Sequence, residues 1–149
     1  MKKVIKFLLF IIFAVLLKEN ALADELNLYY MLPDEEKFRI RQENIDAKDI
    51  KKIFKLYEII FSDKDLYFIP QNVKIYNVRV DGETLVLDVS EDIFSFSGAY
   101  GETRLTSILV KNALQFDGVN KVTISSNGEI AVFPEGTVIA NTSAACYND

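Results

Sequence analysis

The stretch from Val73 to Phe116 constrains this chain most, because it reads as a β-hairpin, a short loop and an amphipathic helix in unbroken succession. Its pivot is Val80-Asp81-Gly82-Glu83, where Asp-Gly stands between two alternating apolar runs, the strongest short-range hairpin signal. A two-residue turn at Asp81-Gly82 pairs Val80 with Glu83, Val78 with Leu85, Tyr76 with Leu87 and Lys74 with Val89. That register gathers Tyr76, Val78, Val80, Leu85, Leu87 and Val89 on one face. The following helix is expected over about Thr103 to Phe116, with Leu105, Ile108, Leu109, Ala113 and Phe116 on one stripe that Asn112 interrupts. Gly118 suits the left-handed position past the helix end, and Val119 can pack back on Leu114.

The N-terminus has the grammar of an export signal. Lys2, Lys3 and Lys6 precede an apolar run of eleven residues, Phe7 to Leu17. Ala21-Leu22-Ala23 then supplies a small-x-small cleavage pattern, with the cut expected before Asp24. The run is shorter than the roughly 20 residues of a membrane-spanning helix, which favours a cleaved signal over a retained anchor. Both alternatives put the domain outside the cytoplasm, secreted or tethered by the uncleaved segment.

Removing residues 1–23 takes four lysines and one acid, so 13 basic and 21 acidic residues remain, a formal charge of −8. Such a balance argues against nucleic acid as a partner, since phosphate neutralisation needs clustered Lys and Arg. The bases are nevertheless unevenly spread. Residues 37 to 55 hold seven of them against Glu43, Asp46 and Asp49, a local net of +4. Lys48, Lys51, Lys52 and Lys55 follow helical spacing and form a candidate interaction face for an oppositely charged protein or an anionic membrane surface; the other reading is a solvated helix face.

Before the hairpin, a strand is expected over about Glu25 to Leu32 and a second over Lys37 to Arg41, with Phe38 and Ile40 inward. A helix with Asp46 as N-cap should run from about Ala47 to Phe61, with Ile50, Ile53, Phe54, Tyr57, Ile60 and Phe61 on its apolar stripe. The segment Ser90 to Gly101 reads as a short helical turn and a loop. Its aromatics Phe94, Phe96 and Tyr100 are a second candidate contact, or a cover for the core. Val122 and Ile124 mark a further strand, Asn127-Gly128 a second hairpin turn, and Ala131 and Phe133 a return opposite Ile124 and Val122. The pattern fades from Thr137, so residues 24–136 form a single domain and residues 137–149 a loose tail. Hairpins alternating with helices imply an α+β fold, an antiparallel or mixed sheet with two helices packed on one face.

With these elements placed, the chain resembles the GerMN domain of sporulation and spore-germination proteins over about Leu28 to Glu129. The resemblance rests on Leu28-Tyr29-Tyr30, Ile69-Pro70-Gln71-Asn72-Val73, Val78-Arg79-Val80-Asp81-Gly82 and Leu87-Asp88-Val89-Ser90. It continues through Gly101-Glu102-Thr103-Arg104-Leu105, Gln115-Phe116-Asp117-Gly118-Val119 and Val122-Thr123-Ile124. Asn112 stands where the family has a threonine, and Asp117 where it commonly has proline. The resemblance implies a non-catalytic, extracytoplasmic module acting by protein contacts with other envelope or sporulation proteins, with an oligomer as an open option.

The residue inventory is consistent with that implication. The chain has no histidine, which removes Ser-His-Asp and Cys-His catalysis and the usual zinc sites. Cys146 is the sole cysteine and can form no internal disulfide. Glu91-Asp92 is the most visible carboxylate pair, and acids at that place also favour the start of a helix. Asp63-Lys64-Asp65 is too short for a calcium loop. No cofactor is implied. The alternatives kept open are a carboxylate-dependent cell-wall hydrolase and a small-ligand carrier.

Overall fold

The computed structural model describes residues 24–95 and 98–143. Among these residues seven strands and two α-helices follow one another: β1 (Asp24–Tyr30), β2 (Arg39–Ile45), α1 (Ile50–Ser62), β3 (Ile75–Asp81), β4 (Thr84–Val89), α2 (Ala99–Ala113), β5 (Lys121–Ser126), β6 (Glu129–Ile130) and β7 (Thr142–Ser143). A 3₁₀ turn, Glu91–Phe94, lies between β4 and α2. Strands β1 and β2 form an antiparallel ribbon of their own, and β3-β4-β5-β6 with β7 form a mixed sheet. The parallel pair is β4–β5, from Thr84↔Lys121 to Val89↔Ser126. Parallel strands need a long crossover, and α2 supplies it. This is the α+β arrangement expected from the pattern, on the mixed side of the alternative.

The central hairpin forms, with its turn one residue later than Asp81-Gly82. Asp81 pairs with Thr84, Val80 with Leu85 and Val78 with Leu87, so Gly82-Glu83 is the loop. Gly82 takes a φ of 60°, and glycine at the first loop position suits a type II′ turn. The shift puts the Glu83 carbonyl where the N–H groups of Asn120 and Lys121 donate to it at 2.9 and 3.1 Å, which anchors the start of β5. Val78, Leu85 and Leu87 keep their common inward face because both registers preserve the parity. Tyr76 does not share it: a bulge between Ile75 and Asn77 turns its ring to solvent and puts Ile75 against the core.

The ribbon reverses the face expected for β2. Leu28 is fully buried and pairs with Arg41, so β2 must send Arg41, Glu43 and Ile45 inward and Ile40 outward, where it is 57% exposed. The inward guanidinium is compensated by Glu43 and Asp63, both at 2.6 Å.

Helix α1 begins three residues later than expected. Asp49, not Asp46, stands at its N-cap, with φ 51° and ψ −133° and no side-chain cap. Ile53, Leu56, Tyr57, Ile60 and Phe61 bury its inner stripe. Helix α2 starts at Ala99 rather than Thr103. Its first turn is pinned by Tyr100, whose hydroxyl donates to the Pro33 carbonyl at 2.9 Å. Its end at Ala113, short of Phe116, leaves Gly118 beyond a further turn at φ 78°. Tyr57 and α2 meet where the buried phenol donates to the Leu109 carbonyl at 2.7 Å; burial pushes this hydroxyl's pKa far up.

The second hairpin turn forms at Asn127-Gly128, both at positive φ, and Ala131 N–H donates to the Ile124 carbonyl at 3.0 Å. Phe133 does not continue the strand; Val122 pairs with Thr142 of β7. Glu102 explains the departure. Its buried carboxylate accepts the N–H groups of Glu135 and Thr137 at 2.6 and 2.9 Å and pulls residues 134–137 toward α2. Within the expected tail, Ile139 is buried and β7 is paired; residues 144–149, with Cys146, lie outside the described residues. So do the expected cleavage residues Ala21 and Ala23, while Asp24 is the first residue of β1.

Candidate interaction surface

Burying Ile53, Leu56, Tyr57, Ile60 and Phe61 turns the opposite side of α1 to solvent. Lys51 and Lys55 lie on that side, Lys52 is half-buried, and Lys48 sits in the turn ahead of the helix. Lys55 Nζ pairs with Glu58 at 3.3 Å, an exposed contact worth little in stability. Sequence spacing thus located three of the four lysines on the helix and placed Lys48 one turn too far inside it.

The N-terminal half of α1 also walls a groove of about 820 Å³. The N-terminal turn of α1 contributes Ile50 and Ile53, β3 contributes Val78, Arg79 and Val80, and the turn after α2 contributes Phe116, Asp117 and Val119. Leu26 of β1 completes the floor, and Lys52 and Asp49 stand with these residues. Ile50 and Val80 remain 38% and 42% exposed. Three consecutive residues of β3 line the groove, and β3 ends the strand order among the described residues, so the groove runs along a sheet edge. The lysines were legible in the sequence. The apolar surface beside them was not, because it is assembled from four separate segments.

The aromatic candidates do not form one cluster. Phe94 is half-buried and packs edge-on against Phe133 at 5.5 Å, closing the core. Phe96 lies outside the described residues. Tyr100 is 54% exposed and joins Phe68 at 5.6 Å, with the Arg104 guanidinium 4.9 Å from its ring. Tyr67, 52% exposed, adds to this group through Phe68. Sequence reasoning passed over Tyr67 and Phe68 because they read as a connector.

The carboxylates are occupied structurally. Ser90 Oγ donates to Asp92 at 2.7 Å, and Asn127 Nδ2 donates to Glu91 at 2.9 Å. Among the described residues no group of three or more His, Cys, Asp or Glu side chains could hold a metal ion, and no helix is long and apolar enough to cross a membrane.

Comparison with known proteins places this geometry. The Germane family model, described as sporulation and spore germination, matches residues 27–132. Among solved structures, the chain is similar to the first GerMN domain of the sporulation protein GerM from Bacillus subtilis, at 17% identity and a TM-score of 0.67 over 82% of this chain and 98% of that one. It is also similar to the tandem GerMN domains of the same protein, at 18% identity and a TM-score of 0.66. That match covers 84% of this chain and 47% of the tandem, so this chain spans about half of it. A Clostridium perfringens protein described as a lipoprotein matches at 14% identity and a TM-score of 0.57, over 82% of this chain and 88% of the other. No curated protein matches the sequence. The likeness to solved structures shows the fold, and the family match takes in well over half of the chain: it belongs to the Germane family of sporulation and spore germination, with a GerMN-type domain.

Proposed function

We propose that this chain is an extracytoplasmic, non-catalytic module that serves sporulation or germination by binding another envelope protein. The observation that carries the reading is the groove beside α1, where partly exposed Ile50 and Val80 lie next to Lys52 and close in sequence to Lys48 and Lys51. An apolar floor with charged neighbours is the composition of a recognition surface, in which apolar area supplies affinity and charge supplies steering. The export signal read at Lys2 to Ala23 supports the extracytoplasmic placement. Glu91 and Asp92, each engaged by a neighbouring side chain, lend no support to the hydrolase alternative.

The test is binding to an envelope fraction from sporulating cells, using the exported chain. Reversing Lys48, Lys51, Lys52 and Lys55 to Glu leaves the buried stripe of α1 in place, so the variant should fold, bind more weakly and lose the salt dependence of the native interaction. Binding indifferent both to the reversal and to salt would overturn the role of the basic residues. Binding also indifferent to Ile50→Asp and Val80→Asp would remove the groove from the account.

A further inference from the structure

The β1–β2 ribbon is self-contained. It shares no strand pairing with the five-stranded sheet among the described residues. What holds it is the burial of Leu28, Met31 and Ile45, the Arg41–Asp63 ion pair, and two side-chain clamps, one from α2 and one from the turn just after it. Tyr29 N–H donates to Asn112 Oδ1 at 3.0 Å, and Asn112 Nδ2 donates to the Tyr29 carbonyl at 2.7 Å. Three residues on, in the turn past the end of α2, the contact repeats: Asn27 N–H donates to Gln115 Oε1 at 3.1 Å, and Gln115 Nε2 donates to the Asn27 carbonyl at 2.7 Å. One side chain in the last turn of α2 and one just past its end thus meet backbone groups two apart on a strand. Both clamps read main chain, as a neighbouring strand would.

The ribbon is joined to α1 only by residues 46–49, and there the backbone is strained. Asp49 sits at φ 51°, ψ −133°, a region that L residues rarely adopt. The same residues carry helix-start signals, with Asp46 able to cap and Ala47 and Lys48 able to continue the helix. A short hinge under strain beside a self-contained element is the arrangement in which exchange between copies costs least.

We propose that the β1–β2 ribbon exchanges between two copies of this chain, so that Asn112 and Gln115 of one copy hold Tyr29 and Asn27 of the other. Every contact of the ribbon is remade across the pair, so those contacts favour neither state. The balance is left to the hinge and to the freedom lost on association. On exchange the hinge opens, Asp49 leaves its positive φ, and Ala47 to Asp49 can lengthen α1 by about one turn toward the Asp46 cap. The proposal does not rest on a partner for the groove described above, although Leu26 and Asp49 line that groove.

The test uses the chain from Asp24, refolded at low and at high protein concentration and sized by chromatography with light scattering. Exchange predicts a slowly interconverting dimer whose share rises with concentration. Glycine occupies positive φ without strain, so Asp49→Gly relaxes the closed hinge. With two hinges per dimer the association constant should fall about tenfold or more, whereas Asp49→Ala should raise it. A variant lacking Ala47 and Lys48 keeps only two residues between ribbon and helix, which should disfavour closure within one chain. It should be dimeric at every concentration and should keep the Tyr29 N–H protected from hydrogen exchange. Wild type that stays monomeric throughout, or a dimer indifferent to Asp49→Gly, would overturn the proposal. So would a deletion variant that folds as a monomer. If the deletion variant does not fold, the response of the full chain to Asp49→Gly decides the matter alone.

Discussion

Asn112 is the residue on which the joining of the ribbon to the body most depends, and Asn112→Ala measures it. The side chain is fully buried and makes three bonds: two with the Tyr29 backbone and one from Nδ2 to the Ile108 carbonyl at 2.8 Å. Truncation leaves the Tyr29 N–H and carbonyl unpaired. A buried backbone group left without a partner costs roughly 1–3 kcal/mol. Tyr29 is only half-buried, so water can partly replace the amide, and alanine returns roughly half a kcal/mol in helix propensity. The net cost is about 2–3 kcal/mol, a fall of roughly 10 °C in Tm for a domain of this size. Asn112→Asp should be worse than alanine, because it sets a carboxylate against the Tyr29 and Ile108 carbonyls where an amide now donates. Urea unfolding of the three proteins gives the free energies, and hydrogen exchange at the Tyr29 amide reports the clamp itself. A loss under about 0.5 kcal/mol in Asn112→Ala, or an aspartate variant as stable as wild type, would refute the clamp.

Leu109→Ala, at a fully buried position on α2, should cost about 2–5 kcal/mol in denaturant unfolding. Gly82→Val should cost on the order of 1 kcal/mol or more from backbone strain alone, since nothing crowds a Cβ there; unchanged thermal stability would contradict the type II′ turn. Burial pushes the Glu102 carboxyl up, but bonds from the Thr137 side chain and from the N–H groups of Glu135 and Thr137 outweigh it and hold the group below its usual pKa of 4.5. Its contribution is therefore complete above the unfolded-state pKa and is lost as pH falls through the folded value. Glu102→Gln should lower stability at neutral pH and flatten the acid limb of the stability profile, as pH-dependent thermal unfolding would show. Mass spectrometry of the exported protein should find Asp24 at the N-terminus; a chain kept at full length would favour the tethered form.

The parts of the fold set by local chemistry were legible in the sequence. Asn127-Gly128 specified its turn because both residues tolerate positive φ, and the stripes of α1 and α2 followed 3.6-residue spacing. What the sequence obscured is decided by distant partners. Arg41 and Ile40 alternate cleanly on paper, but Leu28 and Asp63 determine which of them faces inward. Glu102 reads as an ordinary acid in a first helical turn until the loop 33 residues on brings its backbone N–H groups to it. Asn112 was visible as a break in an apolar stripe and as a departure from the family's threonine, with no partner in sight. Its reason lies 83 residues earlier in the chain. The candidate surface divides in the same way: helical spacing exposed the lysines, while the apolar groove required β1, α1, β3 and the turn after α2 to be brought together.

The most direct test of the account is genetic complementation in a sporulating strain that lacks this protein, scored by spore yield and germination. The variant with Lys48, Lys51, Lys52 and Lys55 reversed to Glu, together with Ile50→Asp, should be exported and folded and yet fail to restore function. Glu91→Gln with Asp92→Asn should restore it fully. Normal spores from the surface variant, or loss of function in the carboxylate variant with folding intact, would contradict the central claim that this domain works by binding through the face around α1.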